Sequence, residues 1–153
     1  MRGGNFSGAM GTASLVMLEI LILTIQFMLG MYVNLFVTIP QMSFGYGMMT
    51  LMLAAGASLI MLHMFLGMVI GIVSVMILIL SLMAGLSRIA YLSVISLVFI
   101  VIAGVNGLVF LFGGQNNVNS FAMAVSFLVV LLTQFFILYY TIDTLGPSKQ
   151  FLR

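Results

Sequence analysis

No charged side chain lies between Glu19 and Arg88, and none lies between Arg88 and Asp143. Those two runs are filled with Leu, Ile, Val, Met and Phe. A water-facing surface cannot be built from them. Soluble domains carry about 25% charged residues, whereas this chain carries 4% and is 64% hydrophobic. Most of its surface must face lipid, so the chain reads as an integral membrane protein. Its 153 residues suit a single domain, 1–153. It has no cysteine, which excludes disulfides, thiolate metal sites and Cys-ligated iron–sulfur clusters within the chain. The formal charge of +2 comes without a basic run, so no nucleic-acid partner is expected.

A spanning helix needs about 20 mostly apolar residues. Four stretches qualify, at about 13–38, 58–85, 89–113 and 120–143. The expected fold is an all-α membrane four-helix bundle. The first stretch is too long for the apolar region of a signal peptide, and no small-residue cleavage site closes it. It stops at Thr38-Ile39-Pro40, where proline ends a helix. The apolar run from Met48 to Gly85 is too long for one span and too short for two. Residues 48–57 (MMTLMLAAGA) therefore read as a short interfacial or re-entrant segment. The fourth span starts behind an Asn119/Ser120 cap.

The basic residues set the orientation. Arg2, Arg88, Lys149 and Arg153 fall in the N-terminal tail, the second turn and the C-terminal tail, which four spans place on one side. The other two loops carry no charge. By the positive-inside rule both termini are cytoplasmic. Tyr91, Tyr139 and Tyr140 then sit near the inner interface and Tyr46 near the outer one, as aromatic belts prefer. The Asn5-Phe6-Ser7 sequon would face the cytoplasm, away from glycosylation.

Polar side chains inside a bilayer are costly unless paired. Gln26 and Gln134 fall near the midplane, and a hydrogen bond between them is expected. Asn34, His63 and Asn106 fall in the outer leaflet on three different helices and form a candidate polar cluster. Glu19 lies on the inner side. It calls for a partner, with Arg88 reaching it by snorkelling as the first choice. Proton handling and contact with another protein are the alternatives.

His63 is the chain's one histidine, and His63, Gly67 and Gly71 share a helix face at four-residue steps. That face supports two readings. In one, Gly67 and Gly71 form a small-residue seam for close helix packing, matched by Ala103 and Gly107, while His63 makes a hydrogen bond. In the other, the glycines clear a slot for a haem and His63 ligates its iron. The second ligand would then be Met123, which lies at matching depth, or a histidine of another copy. A proton relay or a quinone contact is a further use of a membrane histidine. No metal site is called from the scattered methionines, which suit flexible apolar packing. The sequence contains no H-E-x-x-H, Walker loop, paired carboxylates or Ser–His–Asp set, so no catalytic residue is assigned.

Four patches carry a resemblance. LGMYVNLFVTIP (29–40), LHMFLG (62–67), AGVNGLVFLFGG (103–114) and SFAMAVSF (120–127) together resemble a small uncharacterised family of four-span prokaryotic membrane proteins. The resemblance implies a four-helix topology and the prokaryotic cell membrane. A weaker likeness, carried by His63, is to one four-helix half of haem A synthase, whose helices present histidines to haem. Only His63 matches there, and that half's second histidine is missing. The function expected from all this is a non-catalytic accessory subunit of a prokaryotic energy-transducing complex, such as a respiratory oxidase or a related membrane oxidoreductase. Its partners would be lipids and the other membrane subunits. The alternatives are a haem b electron carrier using His63 and a small transporter or channel.

Overall fold

The computed structural model describes residues 3–39, 52 and 55–145, with side chains from residue 8 onward. Four helices account for nearly all of them: α1 (Gly3–Phe36), α2 (Ala57–Met83), α3 (Ser87–Phe112) and α4 (Asn117–Leu145). All four are long and apolar enough to cross a membrane. The chain is an all-α four-helix membrane bundle, and no strand occurs among the described residues. Most of the expected segment 48–57 lies outside the described residues, as do Arg2, Tyr46, Lys149, Arg153 and the sequon side chains.

The helix ends differ from expectation in two places. Helix α1 begins about ten residues early, within a glycine-rich stretch of weak helix propensity. Packing overrides propensity there. Ala9 and Thr12 are buried, and Gly8 lies so close to α2 that a Cβ on it would be 3.1 Å from the Ala84 Cβ. Helix α4 starts behind Asn116 rather than Asn119/Ser120. The Asn116 side-chain oxygen accepts from the Val118 N–H at 2.9 Å, satisfying an N–H that has no partner inside the helix.

The α2–α3 turn is a Schellman motif. Gly85 sits at φ 68°, its N–H donates to Leu82, and the Leu86 N–H donates to Ser81 at 2.8 Å. The α3–α4 turn places Gly114 and Gln115 at positive φ, and the Gln115 amide reaches across to the Ile39 carbonyl at 2.8 Å. These short turns make the helices run up, down, up and down. Each helix packs on the next, and α1 closes the ring on α4. The α2–α3 turn marks one end of the bundle, called here the terminal end. The α3–α4 turn marks the other, the loop end.

The core is layered. Nearest the terminal end, Val16, Val73, Ile77, Ile89 and Ile137 pack together. A middle layer holds Leu23, Ile70 and Val130, with Phe99, Ile100 and Phe127 against it. Nearest the loop end, Val33, Ile60 and Leu111 form the third. The outer faces carry exposed apolar side chains such as Met28, Phe65, Leu82, Val101 and Phe136. That surface suits lipid, so the chain is a multi-pass membrane protein.

Buried hydroxyls are numerous, and most are satisfied inside their own helix. Thr12, Ser81, Ser93, Thr133 and Thr141 each donate to the carbonyl four residues back, at 2.7–2.9 Å. Such bonds let polar side chains sit in an apolar bundle without a neighbour.

The burial pattern repeats although the sequence shows no convincing internal repeat. Ile70, Val73, Ser74, Ile77 and Ser81 of α2 are buried, and so are Val130, Thr133, Gln134, Ile137 and Thr141 of α4, each 60 positions later. Thr12, Val16 and Glu19 of α1 are matched by Ile89, Ser93 and Ser96 of α3, each 77 positions later. The bundle is built of two hairpins with equivalent inward positions.

Candidate functional site: two polar levels in the bundle

The first level lies between the terminal-end and middle apolar layers. Each helix supplies one buried polar residue: Glu19 from α1, Ser74 from α2, Ser96 from α3 and Gln134 from α4. The Ser74 hydroxyl donates a hydrogen bond to Glu19 Oε1. Gln134 flanks the same carboxyl and donates through Nε2 to Ser96 Oγ at 3.1 Å. Two acceptors in this layer, Glu19 Oε2 and Gln134 Oε1, receive no donor.

Two expectations fail here for one reason. Gln26 and Gln134 do not bond, because Gln134 is level with Glu19, and Gln26 stands about two turns further toward the loop end. Glu19 does not pair with Arg88. Arg88 is exposed in the first turn of α3, eight residues before Ser96, so the acid lies about 12 Å deeper. One arginine side chain cannot cover that distance.

The second level joins α1 and α2 nearer the loop end. Gln26 Nε2 donates to the His63 carbonyl at 2.9 Å and lies 3.4 Å from His63 Nε2. In a helix that carbonyl already faces residue 67, one turn on. Gly67 gives the amide room to approach, since a Cβ there would lie 3.4 Å from Gln26 Nε2. The imidazole itself fills a notch in α1. A Cβ on Gly30 would come within 2.7 Å of His63 Cε1. His63 Nδ1 is buried and has no partner. The sequence pairs neither Gly30 nor Gln26 with His63. From the observed ends, Phe36 and Ala57, Gly30 and His63 each lie six residues in, whereas the expected ends at 38 and 58 put residue 33 opposite the histidine.

The other candidate residues are dispersed. Gly71 has nothing within 4 Å of its would-be Cβ, so it forms no seam with Ala103 or Gly107. Gly107 instead faces Met123, whose Sδ would lie 3.3 Å from a Cβ there. Met123 therefore repeats in the second hairpin what His63 does in the first. Asn34 is exposed, and Asn106 donates to the Ile102 carbonyl of its own helix at 2.8 Å. Neither is hydrogen-bonded to His63. Gly67 is occupied by Gln26 and His63 by Gly30, so in this arrangement the imidazole does not look onto a slot cleared by Gly67 and Gly71. Asp143 is exposed near the terminal end. Among the described residues, no group of three His, Cys, Asp or Glu side chains could hold a metal ion. No protein family model, no curated protein and no solved structure matches this chain.

Proposed function

We propose that this chain is a non-catalytic structural subunit of a prokaryotic energy-transducing membrane complex, a respiratory oxidase or a related oxidoreductase, where it buttresses a catalytic subunit. One observation carries the structural part of this reading. His63, the residue most suited to chemistry, is used as a packing piece, with its ring in the Gly30 notch and its carbonyl held by Gln26. The prokaryotic membrane rests on the resemblance of LHMFLG and its companion patches, and the oxidoreductase setting on the weaker likeness to a half of haem A synthase.

A haem b carrier is the second reading. It is favoured by His63 Nδ1, a buried nitrogen without a partner, and by Met123 at the equivalent position of the other hairpin. Ligation there would require the ring to leave its notch.

Purification from native membranes in mild detergent tests both. The structural reading expects oxidase subunits to travel with the chain, and no Soret band from the chain alone. A Soret band that disappears in His63→Ala would overturn it in favour of haem.

A further inference from the structure

The Glu19 layer has no role in a packing account. A carboxylate deep in a bundle is expensive unless a counter-charge stands beside it. None does. The groups facing Glu19 are Ser74 from α2, Ser96 from α3 and Gln134 from α4, all neutral. Among the described residues the charged side chains are Glu19 itself, exposed Arg88 and exposed Asp143. His63 belongs to the other polar level. Glu19 and Gln134 are 0% and 1% exposed, and each keeps one oxygen without a donor.

Ser74 gives its hydrogen to Glu19 Oε1, and Gln134 flanks the carboxyl while directing Nε2 at Ser96. Glu19 Oε2 and Gln134 Oε1 are left as acceptors without a donor, and the layer carries one uncompensated acid. A proton on the carboxyl removes the charge and adds an O–H donor among those acceptors.

We propose that Glu19 is a proton-binding site inside the membrane: the carboxyl holds a proton in a neutral layer of acid, amide and hydroxyls, and exchanges it toward the terminal end. The direction follows from the neighbouring layers. Toward the loop end, Leu23, Ile70 and Val130 close the core with hydrocarbon. Toward the terminal end the apolar layer of Val16, Val73, Ile77, Ile89 and Ile137 is interrupted by the buried hydroxyl of Ser93, and Thr12, Ser81 and Thr141 follow. This site is independent of the role proposed for His63 and of which complex the chain joins.

The test uses the purified full-length chain in liposomes and a hydrophobic carbodiimide, which adds to protonated membrane carboxyls. Mass spectrometry of the intact chain and its fragments reads the adduct. Labelling at Glu19 is expected at neutral pH, fading as the pH is raised, unchanged by sodium and absent in Glu19→Gln. Ser93→Val is expected to slow labelling severalfold when pH is stepped from alkaline to neutral. Protection by sodium would overturn the proposal in favour of a metal cation in the same layer. Infrared difference spectroscopy removes the question of reagent access. A carboxylic C=O band lost in Glu19→Gln supports the proposal, and no such band at any pH overturns it. Equal labelling rates in Ser93→Val and wild type would overturn the terminal-end route.

Discussion

The two hairpins share a frame and differ in what they hang on it. In α1–α2 the shared polar rung is an acid facing a hydroxyl, Glu19 and Ser74; in α3–α4 it is a hydroxyl facing an amide, Ser96 and Gln134. Nearer the loop end, a glycine in each hairpin receives a side chain from the opposite helix. Gly30 takes the flat ring of His63, and Gly107 takes the flexible thioether of Met123. Chemistry-bearing side chains concentrate in the first hairpin, while the second repeats its geometry with softer groups. The comparison separates what the frame requires from what the first hairpin adds.

The largest effect should come from filling the tighter notch. Gly30→Val would drive carbon into the imidazole, and overpacking of this kind costs about 1–3 kcal/mol. Denaturant unfolding in detergent should show that loss. A double-mutant cycle should then recover most of it when His63→Ala is added, because the clash is with that ring. An unrecovered loss would mean that Gly30 serves the backbone rather than His63.

Cutting the rungs should cost no more than that, and unequally. Ser74→Ala removes the hydroxyl that donates to Glu19 Oε1 and leaves a buried acceptor short, at about 1–3 kcal/mol. Ser96→Ala removes only an acceptor from an amide, and bonds between membrane helices average about 0.6 kcal/mol. The ratio measured by unfolding is the informative quantity. Equal losses would erase the distinction between the hairpins.

Smaller still is Gly107→Ala, whose new methyl meets a flexible Met123 Sδ at 3.3 Å. A change within about 0.5 kcal/mol is expected, since the sulfur can move aside. His63→Met gives the first hairpin the second one's side chain. If the notch only needs filling, stability in the same assay should change by less than about 1.5 kcal/mol.

The sequence makes the four spans plain because lipid imposes the strongest filter: length and apolarity suffice, and α2, α3 and α4 begin and end within a few residues of their expected places. Register is harder. The start of α1 was hidden in RGGNFSG, where propensity argues against helix and packing on Ala84 argues for it. That extension lowers the centre of α1 toward the terminal end. It puts Glu19, not Gln26, level with Gln134. The pairings Gln26–His63 and Glu19–Ser74 depend on which helices adjoin and at what height, and composition carries neither. His63 stood out by being alone, whereas Gly30 was one glycine among 16. The repeat of burial at 60 and 77 positions was invisible because buried positions tolerate Ile, Val, Ser or Thr alike.

The hydroxyls that bond within their own helices have a consequence for how this chain enters a bilayer. A helix whose polar groups are satisfied internally can stand alone in lipid. For α1 the exception is Glu19, whose donor Ser74 sits on α2, and Gln26 also finds its acceptor there. Helix α4 depends on α3 in the same manner, through Gln134 and Ser96. The energetics of insertion therefore favour pairs over single spans, and they are unequal in time. Helix α4 follows a partner already made, whereas α1 must wait for one not yet synthesised.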